Sequence, residues 1–111
     1  MEPYAIVRIE DGDGNLLWEP DRPDPTEGAI DRDVARAVTE ALRGVIESGT
    51  GRRADIGRPA AGKTGTTQNN VDAWFAGYVP GYAAVVWVGF PDAATPMDGI
   101  SGGGLSAQIW Q

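Results

Sequence analysis

Pro59-Ala60-Ala61-Gly62-Lys63-Thr64-Gly65-Thr66-Thr67, with Asp72-Ala73-Trp74-Phe75-Ala76-Gly77-Tyr78 close behind, decides how this chain is read. Lys63 is the only lysine, and it sits among three hydroxyl side chains and two glycines. The same letters admit two incompatible motifs. Gly57 to Thr64 satisfies the phosphate-loop pattern G-x-x-x-x-G-K-[ST], in which a strand delivers the loop and a helix leaves it. Lys63-Thr64-Gly65 also reads as a triplet within an extended strand. Gly65-Thr66-Thr67-Gln68-Asn69-Asn70 are poor helix formers, and Asp55-Ile56 is too short and polar for a delivering strand. Pro59 removes an amide that a phosphate would need. Val85-Val86-Trp87-Val88 leading to Asp92 resembles the acidic strand of a nucleotide site and keeps that reading open.

The totals narrow the classes. A chain of 111 residues makes one small domain at most. Its formal charge of -7 argues against nucleic acid, because little here neutralises a phosphate backbone. The absence of histidine excludes Ser-His-Asp and Cys-His mechanisms and most zinc chemistry. With no cysteine, the redox compartment is not indicated. No apolar run approaches the length of a membrane span, and no export signal is present.

Outward from the lysine, three apolar segments are predicted as antiparallel strands: 59–67, 71–79 and 82–90. Gln68-Asn69-Asn70 and Pro80-Gly81 are the turns between them. The last strand is apolar on both faces and calls for cover on both sides. Upstream, residues 30–48 carry Ile30, Val34, Val38, Ala41, Leu42, Val45 and Ile46 at helical spacing, predicting a buried face. Asp31 is the expected N-cap, and Gly49 the expected left-handed residue after the helix. Arg36–Glu40 and Arg43–Glu47 are spaced to pair on the solvated side. Residues 4–18 predict a hairpin and 19–28 a solvated connector. Residues 91–104 read as loop, and 105–111 as the start of a terminal helix.

Arg58 to Thr67, Asp72 to Tyr78 and Val86-Trp87-Val88-Gly89 together resemble the bifunctional class A penicillin-binding proteins. Val34-Ala35, Leu42 to Val45 and Gly49-Thr50-Gly51 are similar to the helix and turn before that family's Lys-Thr-Gly strand. Ser101-Gly102-Gly103 and Ala107-Gln108-Ile109-Trp110 resemble its closing segment, where proline usually stands in place of Gln108. The resemblance implies an α+β fragment of the serine transpeptidase/β-lactamase-like fold. Its antiparallel sheet comprises the three C-terminal strands plus the N-terminal hairpin, packed on helices. It implies that residues 1–111 are the C-terminal part of one transpeptidase domain.

The implied activity is D,D-transpeptidation, cross-linking peptidoglycan stem peptides through a serine ester and inhibited by β-lactams. Lys63 and Thr66 are the implied catalytic residues. Lys63 would join the hydrogen-bond network around the nucleophile and attract the ligand's carboxylate. Thr64 and Thr66 would bind that carboxylate, and the Thr66 N–H would form half of the oxyanion hole. Gly65 would let the ligand lie against the backbone. Thr67, Trp74, Phe75 and Trp87 are expected to pack in core or sheet, and Asp72 to brace a turn.

Acyl transfer also needs a nucleophile and base, supplied in this family by S-x-x-K and S-x-N. None of Ser48, Ser101 and Ser106 is followed by lysine at the third position or asparagine at the second. The expected partners are therefore an upstream part of the same domain, the D-Ala-D-Ala stem peptide and β-lactams, with no cofactor. The parent would be extracytoplasmic, held to the membrane by an N-terminal anchor and fused to a glycosyltransferase. The alternatives are a nucleotide-binding module and a domain that kept the fold without the chemistry.

Overall fold

The computed structural model describes residues 6–19 and 30–111. Tyr4, Ala5 and all of the expected connector except Glu19 lie outside the described residues. Contacts divide the chain between Arg32 and Asp33 into two units.

In the first unit, β1 (Ile9–Glu10) pairs antiparallel with β2 (Leu16–Trp18). The described hairpin is shorter than the expected one, and it forms its own two-stranded sheet rather than extending the other. Asp11 organises its turn. One carboxylate oxygen accepts the N–H of Asp13 at 3.0 Å and of Asn15 at 2.8 Å, and the other accepts the Asn15 side-chain amide at 2.8 Å. These donors, the Asn15 side chain foremost, hold the Asp11 carboxyl below its usual range.

The second unit opens with all but the first residue of α1 (Arg32–Glu47). Its expected apolar face is buried only toward the C-terminal end. Ile46 is 4% exposed, whereas Val34 and Val38 are 54% and 50% exposed. Helical periodicity marks the face that seeks cover, and among the described residues that cover reaches only the last turns. Arg43 reaches Glu47 at 3.0 Å and Glu40 at 3.5 Å, while Arg36 turns back to Asp33 at 3.4 Å instead of pairing with Glu40. Gly49 is not left-handed. It is needed because a Cβ there would lie 2.8 Å from Val45 Cα, against the helix backbone.

Three strands follow: β3 (Ala61–Thr66), β4 (Asp72–Val79) and β5 (Tyr82–Gly89), in spatial order β3-β4-β5. Both pairings are antiparallel and unbroken in register. Asn69 and Asn70 take φ of 59° and 54° in the first turn, a conformation asparagine tolerates better than most residues. Asp72 braces that turn, its N–H donating to Thr67 Oγ1 at 2.8 Å. The second turn is Pro80-Gly81, with Gly81 at φ +85°, as a type II turn requires. A kinked helical turn (Gly102–Ser106) then leads into α2 (Ala107–Trp110), so the helical segment begins earlier than the sequence predicts.

The sheet has one covered face and one open face. On β4, Ala73 and Phe75 are 0% exposed and Gly77 is buried, with Trp74 and Ala76 facing the other way. Trp110 closes over the covered face, its ring 5.3 Å from that of Phe75 and its indole N–H donating to the Ala84 carbonyl at 3.1 Å. Ser106, fully buried, donates its hydroxyl to the Ala73 carbonyl at 2.9 Å. Gln108 is exposed and takes no part in this packing. On the other face Trp74 and Trp87 are each 42% exposed and Val85 62%, so of the expected core or sheet packing these two tryptophans take the sheet, ring against ring across the strands. Trp87 finds a partner for its indole N–H in Asp72 Oδ1 at 2.8 Å.

Two outcomes follow from this packing. Large apolar side chains are each worth roughly 1.5–3 kcal/mol when buried, against a net stability of about 5–15 kcal/mol for a domain. The 111-residue chain on its own is therefore expected to associate and to bind a hydrophobic dye; cooperative melting as a monomer in sedimentation and calorimetry would contradict this. A Cβ on Gly77 would lie 2.8 Å from the Trp110 ring and 2.9 Å from that of Phe75. Gly77→Ala should then cost about 1–3 kcal/mol and weaken the near-ultraviolet circular dichroism of the displaced indole.

Candidate functional site

The site grows from the register of β3. The Thr67 N–H donates to the Asp72 carbonyl at 3.1 Å, one rung beyond the paired residues Thr66 and Ala73. In an antiparallel ladder, rungs alternate between bonded and non-bonded pairs. Gly65 and Lys63 therefore direct their backbone groups at β4, and Gly62, Thr64 and Thr66 direct theirs at the free edge. The Lys63 ammonium fits this parity: it reaches round to the outward Thr64 carbonyl at 2.9 Å and Thr64 Oγ1 at 3.4 Å. A strand edge with the Thr66 N–H facing outward, a cation and two hydroxyls is equipped to receive an anion or a polarised carbonyl oxygen.

Two other segments converge on this edge. Thr50, in the turn after α1, shares a hydrogen bond of 2.8 Å between its hydroxyl and that of Thr64. The Gly102 N–H donates to Thr66 Oγ1 at 3.1 Å. Gly102 lies so close over the Gly65–Trp74 rung that a Cβ would be 2.2 Å from the Trp74 carbonyl oxygen and 2.8 Å from the Gly65 nitrogen. A Cβ on Gly103 would be 2.2 Å from the Thr50 carbonyl oxygen. Together they enclose an open cleft of about 450 Å³ lined by Thr50, Arg53, Thr64, Thr66, Ser101 and glycines 99, 103 and 104.

Thr64 and Thr66 thus meet in one cleft with Lys63 at its edge, while Gly65 lies beneath Gly102. Thr50 and Arg53 were not singled out as site residues. They stand thirteen and ten positions before Lys63, and only the fold of the turn brings them to it. The serines are disposed elsewhere or stand alone. Ser48 donates to the Gly44 carbonyl at 3.3 Å, and Ser106 is buried on Ala73. Ser101 lines the cleft without a histidine in the chain to activate it.

The phosphate-loop reading is overturned. Lys63 and Thr64 lie inside β3, which runs on through Thr66 into the turn Gln68–Asn70, and no helix leaves the motif. The glycine-rich cradle and helix N-terminus that hold phosphate are both missing there. Among the described residues no helix is long and apolar enough to cross a membrane.

Residues 1–110 match the family model described as penicillin binding protein transpeptidase domain. The chain is 33% identical to penicillin-binding protein 1A of Mycolicibacterium smegmatis over a stretch covering 99% of this chain and 15% of that protein. It is 43% identical to penicillin-binding protein 1A of Pseudomonas aeruginosa over 79% of this chain and 11% of that one. With penicillin-binding protein 1A of Aquifex aeolicus it shares 36% identity over 98% of this chain and 15% of that protein. The chain thus spans at most about 15% of the length of these relatives. An antiparallel Lys-Thr-Gly edge strand, a matching family model over nearly every residue and several similar relatives agree: the chain belongs to the penicillin-binding protein transpeptidase family.

Proposed function

We propose that this chain supplies the Lys-Thr-Gly strand of a peptidoglycan D,D-transpeptidase that cross-links stem peptides by acyl transfer through a serine ester. The observation that carries the reading is the parity of β3, which turns the Thr66 N–H to the free edge beside the Thr64 and Thr66 hydroxyls. In the proposed reaction a serine hydroxyl attacks the carbonyl carbon of the penultimate D-alanine. The carbonyl oxygen gains negative charge and takes a hydrogen bond from the Thr66 N–H. The terminal D-alanine leaves as its nitrogen is protonated, and an amine of a second stem peptide then displaces the serine. Thr64 and Thr66 hold the donor's carboxylate, Gly65 leaves room for it, and Lys63 supplies positive charge at the same edge. A β-lactam enters by the same route and stays as the ester.

The serine, its base and the S-x-N hydroxyl are proposed to come from a further part of the same domain. The relatives extend far beyond the stretch matched here, and this sequence holds neither motif. From the family resemblance we also propose an extracytoplasmic location, a membrane anchor and a fused glycosyltransferase domain for the parent protein.

The chain alone is expected to remain unlabelled by a fluorescent penicillin on a denaturing gel, because this sequence holds neither S-x-x-K nor S-x-N to pair a serine with its base. Labelled protein with the label mapped to one of the three serines would refute the assignment. Joined to a segment carrying S-x-x-K and S-x-N, it should yield a domain that acylates with penicillin. In that domain Lys63→Ala should slow acylation by at least about a hundredfold with the circular dichroism unchanged, since a preorganised charge at a developing anion carries effects of that order. An unaltered acylation rate would remove Lys63 from the mechanism.

A further inference from the structure

The cleft beside β3 is free of acid although the chain is not. The formal charge is -7, yet no aspartate or glutamate lines this space, and one guanidinium does. That guanidinium belongs to Arg53, in the short helical turn Arg52–Ala54. The turn is firmly placed. The Gly51 N–H donates to the Val45 carbonyl at 2.9 Å, the Ala54 N–H to the Gly51 carbonyl at 2.9 Å, and Ala54 is 0% exposed. The Arg53 side chain lies over the glycine run on the opposite wall, its Nη1 3.9 Å from where a Cβ on Gly104 would stand. Arg8, Arg36 and Arg43 are each held by a carboxylate. Arg53 makes no hydrogen bond or ion pair with any described residue.

We propose that Arg53 is a further recognition residue of this cleft, its guanidinium pairing with the C-terminal carboxylate of the peptide that Thr64 and Thr66 hold by hydrogen bonds. The assignment rests on the transpeptidase reading and adds to it a second source of charge selectivity beside Lys63, whose ammonium is engaged at Thr64. The threonine hydroxyls distinguish a carboxylate from an amide poorly, because either offers them an oxygen. A guanidinium favours the charged form, and its planar fork matches both oxygens of a carboxylate. The 2.8 Å bond between Thr50 and Thr64 fixes one hydroxyl on the same wall from which Arg53 projects, so the turn after α1 delivers charge and orientation together.

The test uses the domain completed with a segment carrying S-x-x-K and S-x-N, with N-acetyl-D-alanyl-D-alanine and its C-terminal amide as probes, read by saturation-transfer NMR. The acid should bind saturably and the amide more weakly. Arg53→Gln should raise the acid's Kd about three- to tenfold, as loss of one partly solvated charge-assisted pair does, and leave the amide's unchanged. Arg53→Lys should recover part of the loss. Phenylglyoxal modification of the unsubstituted domain, mapped by mass spectrometry, gives a reading independent of any variant: the acid should slow modification at Arg53 and leave Arg58, which lies outside this cleft, unaffected. Equal acid binding by wild type and Arg53→Gln, or equal modification of Arg53 with and without the acid, overturns the assignment and leaves the transpeptidase reading standing. Wild type that binds neither probe overturns both.

Discussion

The ring of Phe75 is the constraint around which the second unit is assembled. It is fully buried, and three glycines exist where they do because the ring is there. A Cβ on Gly62 would lie 2.7 Å from the ring, on Gly77 2.9 Å and on Gly51 3.0 Å. Each belongs to a different element. Gly62 precedes Lys63 in β3, Gly77 lies under Trp110, and Gly51 separates Thr50 from the turn that carries Arg53. One aromatic side chain thus draws the edge strand, the turn after α1 and the C-terminal helix to a common distance. Interiors pack too densely for a change at that point to be absorbed locally, so a substitution far from the cleft would be felt within it.

Much of the sheet was legible because its signals are local. β-branched and aromatic runs mark β4 and β5, and Pro80-Gly81 and the asparagine pair mark the turns, so these three strands differ from expectation by only one or two residues at their ends. The strand around Lys63 was legible for the same reason: Gly65 and Thr66, which disfavour a helix, do continue β3. What depended on partners was not legible. The apolar stripe of α1 predicts burial along its length, yet only Ile46 is fully buried, since periodicity names a face without naming what covers it. Gly49 was expected to serve its own φ and instead serves a neighbour's backbone. Thr50 and Arg53 join the cleft through tertiary closure, for which no spacing rule exists.

The open sheet face and the open edge are different kinds of incompleteness. The face bears Trp74, Val85 and Trp87, which seek apolar cover. The edge of β3 bears outward amides, a lysine and hydroxyls, which seek a polar ligand. The loop after β5 stays ordered by polar means between these demands. Asp92 accepts the Thr95 hydroxyl at 2.5 Å and the N–H groups of Ala94 and Thr95, each at 3.0 Å. The Thr95 hydroxyl foremost, these donors lower the Asp92 carboxyl below its usual range. The loop is thus held in its ionised form through the neutral range, and this anchor is lost only on acidification below the ordinary carboxylate pKa.

The pair of indoles on the open face has a use beyond packing. Trp74 and Trp87 stand 6.2 Å apart at 45°, one of them tethered to Asp72, and both meet solvent. The other indole of this unit, Trp110, packs against Phe75 on the opposite side of the sheet. Emission from the exposed pair is accordingly a gauge built into the sheet itself: with the exposed Trp18 of the first unit replaced by phenylalanine, it moves to the blue and resists quenching by iodide as that face becomes covered, while Trp110 supplies a steady background. The edge strand β3 thus lies in the same sheet as a native optical reporter of whether its open face has been covered.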